Sequence, residues 1–150
     1  MKKLLVLLVA AVYCLAGIAA EPSSSWILSN AGKMNMKKIN LGVFKAKIVL
    51  ENGKKLTIPI DQLNTYSVNG KVFNKLPLYK NGKATGHNKF MELLKINGEL
   101  SLYKTTIFND DLGTAVDVYN VYKGEDLYLA LDNKSMPSVL NFFSVKWEYK

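Results

Sequence analysis

This 150-residue chain has only one histidine, the residue type most often used for acid–base catalysis. Its single histidine, His87, lies in a polar stretch over residues 81–88. A histidine works as a general base when a carboxylate orients it, and Glu92, Asp110 or Asp111 would be that carboxylate. No spacing in the sequence supports such a pair, so we interpret His87 as a loop residue without a catalytic role.

Two acidic pairs have the oxygen ligands that calcium takes. They are Asp110 with Asp111, which follow Asn109, and Glu125 with Asp126. Neither pair lies in a spaced acidic loop with a glycine and a final glutamate, so exposed turn residues are the favoured interpretation. The single cysteine, Cys14, and the single histidine are too few for a zinc cluster. We therefore predict no metal and no cofactor.

Serines and a glycine-rich stretch complete the candidate chemistry. Ser67 and Ser101 could act as nucleophiles, but no G-x-S-x-G turn surrounds either. The stretch from Gly82 to Gly86 has the composition of a phosphate loop without the order G-x-x-x-x-G-K-[ST]. The sequence accordingly predicts no catalytic residue, and a hydrolase that uses carboxylates is the last of our functional hypotheses.

The first 20 residues have the pattern of a secretory signal peptide. Lys2 and Lys3 precede an uncharged run over residues 4–20 that ends in small residues, with cleavage expected after Ala19 or Ala20. The alternative is an uncleaved anchor, for which this run is at the short limit. Cleavage removes Cys14, so the mature chain is cysteine-free and cannot form disulfides.

Lysine supplies all 20 basic residues against 12 acids, and the chain has no arginine. Without arginine the bidentate forks of specific base recognition are absent, and export also argues against nucleic acid as a partner. Lys45, Lys47 and Lys55 alternate with apolar residues, which is typical of a solvated sheet face or a protected edge. The excess charge is also compatible with an anionic envelope surface or polysaccharide.

Asn-Gly pairs divide the chain into strand-sized pieces, at residues 52–53, 69–70, 81–82 and 97–98, with a further turn at 123–126. Alternation predicts strands around residues 44–50 and 56–60, and Pro59 must lie at an edge or a strand end. Residues 21–40 show little periodicity, so we expect a low-order leader there and a single β-rich domain over residues 41–150.

The hairpin from Lys89 to Thr106 is apolar on both faces, so other layers or a protein partner must cover it. We expect Met91, Leu93, Leu100 and Leu102 on one face and Phe90, Leu94, Ile96 and Tyr103 on the other. Ser135 before Pro137 predicts a short helix, and alternation at residues 145–149 predicts a last strand. The fold class is mainly β, an antiparallel meander of about eight short strands, rolled, closed as a barrel or packed as a sandwich.

Several of these segments together resemble uncharacterised exported proteins of Bacteroidetes-type bacteria. The matching pieces are residues 49–54 (VLENGK), 66–73 (YSVNGKVF), 90–94 (FMELL), 98–103 (GELSLY) and the tyrosine-rich 119–122 (YNVY). The resemblance covers roughly residues 43–131. It implies an exported β-rich domain of a Gram-negative envelope, in the periplasm, at the outer envelope or secreted, and it carries no site residues.

The sequence therefore favours an exported, non-enzymatic envelope protein that acts as an interaction or structural module. The first alternative is a small β-barrel that holds an apolar or acidic ligand, since eight strands can enclose one.

Overall fold

The computed structural model describes residues 24–80, 82–109 and 112–146. Within them the chain is mainly antiparallel β, with one short helix near the C-terminus. This confirms the predicted fold class. The predicted signal peptide and Cys14 lie outside the described residues, as do Asp110 and Asp111.

Ten strands form one sheet that does not close on itself. They are β1 Trp26–Ser29, β2 Gly32–Leu41, β3 Lys45–Leu50, β4 Lys55–Pro59, β5 Leu63–Val68, β6 Lys71–Lys80, β7 Lys83–Asn97, β8 Leu100–Asn109, β9 Thr114–Lys123 and β10 Asp126–Ala130. A single 3₁₀ turn, Ile60–Gln62, joins β4 to β5, and the helix α1 covers Met136–Phe142. The strand order is β10-β9-β8-β7-β6-β5-β1-β2-β3-β4, so β5 returns to pair with β1.

The first five strands curl into a compact unit that we call the N-terminal roll. Laid flat, β4 and β5 would be four inter-strand steps apart, about 19 Å. The three residues that link them extend over only about 14 Å, so the sheet must bend. Hydrogen bonds hold the bend: the amide of Ile60 donates to the Phe44 carbonyl at 2.9 Å, and the amide of Asn30 donates to the Gln62 carbonyl at 3.0 Å.

The interior of the roll is a small apolar core. Its fully buried members are Ile27, Met36, Ala46, Ile48 and Leu63. Ile27 and Met36 belong to the region for which the sequence predicts a low-order leader. That expectation is wrong for residues 26–40, because β1 pairs on one side with β2 and on the other with β5, and both strands bury apolar side chains.

The remaining strands, β6–β10, form a long meander that continues the sheet from β5. On one face, Leu76, Met91, Tyr103 and Tyr122 make a buried cluster. On the other, Leu102 and Val121 are covered by Leu140 and Phe143, from α1 and the residue after it. Side chains of this chain therefore pack on both faces of the hairpin between Lys89 and Thr106, although Ile96 near its turn is 58% exposed. A protein partner on this hairpin stays a prediction.

The distribution of side chains over that hairpin differs from expectation. The register pairs Leu93 with Tyr103 and Lys95 with Leu102, because a bulge interrupts β7 at Leu94. Tyr103 therefore shares a face with Met91 and Leu93, whereas Leu102 lies on the opposite face under the helix. An extra residue in one strand reverses the alternation beyond it, and the sequence pattern does not show where that residue lies.

Helix α1 begins where the sequence predicts. Asp132 accepts hydrogen bonds at its Oδ1 from the Ser135 amide at 2.7 Å and from the Lys134 amide at 3.0 Å. Pro137 then lies in the first turn. Val145 and Lys146 follow the helix without strand structure, and the rest of the predicted last strand lies outside the described residues. Among the described residues, no helix has the length and apolar character needed to cross a membrane.

Candidate functional site

A basic surface covers the outside of the roll on β2, β3 and β4. Because strand side chains alternate, the inward Ala46 and Ile48 leave Lys45 and Lys47 pointing outward. The register aligns these strands in two rows, one of Lys38, Val49 and Lys55 and one of Asn40, Lys47 and Thr57. We call this surface the lysine face; it consists of Lys38, Asn40, Lys45, Lys47, Lys55 and Thr57.

This surface carries an excess of positive charge. Within the described part of the chain, none of its lysines forms an ion pair, whereas the three ion pairs found there all lie in the meander and its hairpins. Residues 24–68 carry seven lysines and two acids, Glu51 and Asp61, which gives a net charge of +5. Both acids lie outside the two rows, in the turns at either end of β4. The lysine face is therefore a concentrated positive field with free ammonium groups.

The lysine face also carries neutral hydrogen-bonding groups and is slightly concave. Lys38, Asn40, Lys47, Lys55 and Thr57 line a shallow cavity of about 310 Å³. Neighbouring strands are about 4.8 Å apart and alternate residues about 7 Å apart, so the ammonium groups form a regular array. Such an array can contact several negative groups of one ligand at once, with the Asn40 amide and the Thr57 hydroxyl as additional partners.

A second concavity lies on the opposite side of β2. It is an open groove of about 430 Å³ where β2 and β5 extend beyond the short β1. The walls of the groove are apolar and consist of Ile39, Leu41, Tyr66, Val68 and Phe73. Its rim is polar and consists of Asn40, Asn69 and Lys71. Tyr66 and Phe73 stack with ring centroids 4.7 Å apart.

No family model, no curated protein and no solved structure matches this chain significantly. The resemblance to exported proteins of Bacteroidetes-type bacteria therefore stays a prediction. What the chain does must be argued from its own surfaces.

A network of charges crosses the meander beside the roll. Lys71 Nζ lies 2.9 Å from Glu92 Oε1, and Lys104 Nζ lies 3.0 Å from Asp117 Oδ2. Thr106 Oγ1 also donates to Asp117 Oδ1 at 2.7 Å. This hydroxyl and the Lys104 ammonium lower the pKa of Asp117, and the Asp117 carboxylate in turn raises the pKa of Lys104.

The network does not resemble the carboxylate pair of a hydrolase. Glu92 and Lys104 are directly opposite each other in the register, so a lysine lies on the strand between the two acids. Each acid also has its own ion-pair partner, Lys71 for Glu92 and Lys104 for Asp117. Charge pairing across strands explains this cluster without a reaction.

The other face of the meander holds three tyrosines in edge-to-face contact. Tyr122 lies between Tyr79 and Tyr103, with centroid distances of 6.2 and 5.6 Å. Its hydroxyl donates to the Pro77 carbonyl at 2.9 Å, and Asn74 Nδ2 donates to the Tyr103 hydroxyl at 2.8 Å. Burial, reinforced by the two neighbouring phenols, raises the pKa of Tyr122 to about 12. The cluster is a filled core rather than a binding cavity.

His87 belongs to β7 rather than to a loop, because Gly86 adopts a positive φ of 76° in a bulge that lets the strand continue. His87 is exposed, and its amide donates to Thr85 Oγ1 at 3.3 Å. Glu92 is five residues further along the strand, about 17 Å away, so the structure does not bring the two together.

The remaining candidates of the sequence are dispersed. Ser67 is buried on β5 and pairs with Trp26, while Ser101 is half-buried on β8. Glu125 is exposed in the turn between β9 and β10, and Asp126 is exposed at the start of β10. In the described part of the chain, no three histidine, aspartate or glutamate side chains lie close enough to share a metal ion.

Alternation in the sequence predicts an outward position for Lys45, Lys47, Lys55 and Thr57, whereas Lys38 and Asn40 lie in the segment interpreted as a low-order leader. The sequence does contain a signal for these two residues, because Lys38 and Asn40 alternate with Ile39 and Leu41 as in a strand. Interpreting residues 21–40 as low-order obscured it. Lysines on three neighbouring strands form one surface only once the pairing of β2 with β3 is known.

Proposed function

We propose that this chain is an exported, non-enzymatic interaction module that binds polyanionic material of the cell envelope through the lysine face. The single observation that carries the proposal is the array of four lysines on β2, β3 and β4, none of which forms an ion pair within the described residues. A sheet needs solvated side chains on its outer face, but it does not need them all to have one sign. In the meander, lysines on the sheet face lie opposite acids instead.

The type of residue also supports a repeated anionic ligand rather than one tightly held group. Lysine is a flexible point charge without the planar fork with which arginine fixes a single phosphate or carboxylate. Neighbouring lysines of this face are about 7–10 Å apart, a spacing that favours many weak contacts that add up along an extended ligand or surface. Such binding weakens with salt, because the charges are exposed.

Heparin affinity tests this proposal, with heparin as a soluble polyanion. A triple variant, Lys38→Gln, Lys47→Gln and Lys55→Gln, removes the centre of the lysine face. Exposed ion pairs contribute about 0.2–1 kcal/mol each, so we expect about a tenfold loss of affinity at low salt. Binding of the unaltered chain should disappear near about 0.3 M salt.

A matched triple variant separates a local surface from net charge. Lys83, Lys95 and Lys134 are exposed residues of the other half of the chain and form no ion pair within the described parts. Their replacement by glutamine changes the net charge equally. A smaller loss of heparin affinity in this variant is expected; an equal loss in both, or no retention of the unaltered chain at low salt, would refute a dedicated surface.

The groove beside Tyr66 and Phe73 supports a second candidate function, binding of a small apolar ligand with an acidic group. Its volume of about 430 Å³ is within the usual range of ligand sites, and Lys71 lies at its rim. Decanoate is a suitable probe. We expect saturable binding that Val68→Trp, which adds bulk to one wall, abolishes; unchanged binding in that variant would remove this candidate.

A further inference from the structure

The loop between β2 and β3 displays two adjacent apolar side chains to solvent. Val43 and Phe44 are each 80% exposed and belong to no core cluster. Single exposed apolar residues are ordinary, but two large neighbours at the end of a hairpin need an explanation. We call these two residues the tip.

The backbone of the tip is firmly held although its side chains are free. The amide of Gly42 donates to the Lys45 carbonyl at 2.9 Å, and the carbonyl of Phe44 accepts from the Ile60 amide at 2.9 Å. A Cβ on residue 42 would lie 3.1 Å from that Lys45 oxygen, so glycine permits the close approach. The two apolar side chains therefore project from a preorganised turn, and their display is a property of the fold.

The tip is continuous with the lysine face. Lys45 follows it directly, and Lys47 lies about 7 Å further along the same face of β3. Lys38 and Lys55, which flank Val49, lie about 13 Å from Lys45 along the strand. Charges nearest the tip are thus within one Debye length of any surface that the tip enters, which is about 8 Å at physiological salt.

We propose that the occupant of this end of the roll is an anionic lipid bilayer, with Val43 and Phe44 inserted among the headgroups and Lys45 and Lys47 paired with lipid phosphates. This rests on the polyanion binding proposed above and names its partner. Apolar side chains with adjacent lysines are the combination that binds the surface of an anionic membrane. A soluble polysaccharide would use the lysines but would leave the tip in water.

A second hairpin end of the same chain provides an internal control. Phe108 and Leu112, near the end of the β8–β9 hairpin, are 64% and 66% exposed. The residues between them include Asp110 and Asp111, so the sequence there is acidic. This end has similar apolar exposure with the opposite charge, and an anionic bilayer should repel it.

The experiment compares vesicles with heparin, using a chain that starts at Glu21 and so keeps every described residue without the apolar leader. Vesicles contain 30% phosphatidylglycerol in phosphatidylcholine, or phosphatidylcholine alone. We expect sedimentation with the anionic vesicles only. Phe44→Ala should lower partitioning about tenfold and leave heparin affinity unchanged, whereas Phe108→Ala should change partitioning by less than about twofold.

A tryptophan placed at each end reports insertion directly. Phe44→Trp should show a blue-shifted emission and quenching by brominated lipid on anionic vesicles, and Phe108→Trp should show neither. If the unaltered chain binds heparin but not anionic vesicles, the membrane proposal is overturned and the polyanion proposal stands. If it binds neither, both proposals are overturned. Vesicle binding that Phe44→Ala does not weaken would also overturn insertion of the tip.

Discussion

The N-terminal roll and the meander differ in whether acidic side chains compensate their lysines. The roll has seven lysines against two acids, and its lysine face forms no ion pair with any described residue. Residues 69–146 have ten lysines against eight acids, a net charge of only +2. In the meander, Lys104 lies beside Asp117 and Lys71 beside Glu92. Both units meet the same requirement for a solvated sheet face, so the uncompensated charge of the roll is not imposed by the fold.

The two units also differ in how they bury apolar side chains. The roll encloses non-aromatic apolar residues by curling, whereas the meander buries a tyrosine cluster on one face and is covered by α1 on the other. Their sheet is nevertheless continuous through β5, which pairs with β1 on one side and β6 on the other. The comparison thus predicts two chemically different surfaces on one cooperative structure.

The largest expected effect concerns that cooperativity. Ile48 in the roll and Leu102 in the meander are both fully buried, so Ile48→Ala and Leu102→Ala should each cost about 2–5 kcal/mol of unfolding free energy. Because β5 joins the two units, both variants should shift the same single urea transition, followed by circular dichroism and by tryptophan fluorescence. Two separate transitions, with only one moved by each variant, would show that the units unfold independently.

A smaller effect is expected at alkaline pH and should be confined to the meander. Since burial raises the pKa of Tyr122 to about 12 from 10.0, its contribution to stability is complete below about pH 10. Above that pH the unfolded phenol ionises first, and stability falls by about 2–3 kcal/mol as the pH approaches 12. The measurement is the urea unfolding free energy between pH 8 and 12.

Two phenylalanine variants assign that effect to one hydroxyl. Tyr122→Phe should remove most of the alkaline loss and cost about 1 kcal/mol at neutral pH, because the Pro77 carbonyl loses its donor. Tyr66 belongs to the aromatic stack of the roll, and burial followed by the nearby Glu92 carboxylate raises its pKa as well. Tyr66→Phe should change the loss of unfolding free energy between pH 8 and 12 less than Tyr122→Phe does. The reverse order would contradict the assignment to Tyr122.

The same contrast shows what the sequence can and cannot predict. Turn chemistry is local, so Asn69 and Gly70 form the expected hairpin turn with φ values of 52° and 76°. At Asn97 the register differs, because this residue pairs with Leu100 and the turn itself is Gly98 with Glu99. Pro59 lies where its missing amide requires, at the end of the edge strand β4.

The lysine face shows the limit of such local inference. Alternation in β3 and β4 reveals which lysines point outward, but the alignment of Lys38 with Lys55 across β3 depends on the register of three strands and on the bulge in β2 between Met36 and Lys38. Likewise, the bulge at Leu94 depends on how β7 fits β8, so the faces of that hairpin could not be assigned from alternation alone. Whole-sheet register is a tertiary property, and the candidate site depends on it.

A further test compares one paired acid of the meander with one unpaired acid of the roll. The Glu92 side chain is only 15% exposed and contacts Lys71, so Glu92→Gln should cost about 1 kcal/mol of stability at neutral pH. Glu51→Gln, in the exposed β3–β4 turn, should change stability by less than about 0.5 kcal/mol. It should also strengthen heparin binding slightly, because it removes a negative charge beside the lysine face. Equal costs of the two substitutions would mean that the ion pair contributes nothing to stability.

The smallest expected effect is the loss of stability at acidic pH that comes from protonation of Asp117. Because the Thr106 hydroxyl and Lys104 lower the pKa of this carboxyl, its contribution is present above the ordinary value near 3.8 and is lost as the pH falls through the lowered one. Both partners are partly exposed, which limits the ion pair to about 0.5 kcal/mol. Asp117→Asn should therefore flatten the loss of stability below pH 4 slightly and make it less sensitive to salt. Asp61 in the roll has no ion-pair partner among the described residues, so Asp61→Asn should leave that salt sensitivity unchanged. If Asp61→Asn changed it as much as Asp117→Asn does, the two units would not differ in how they pair their charges.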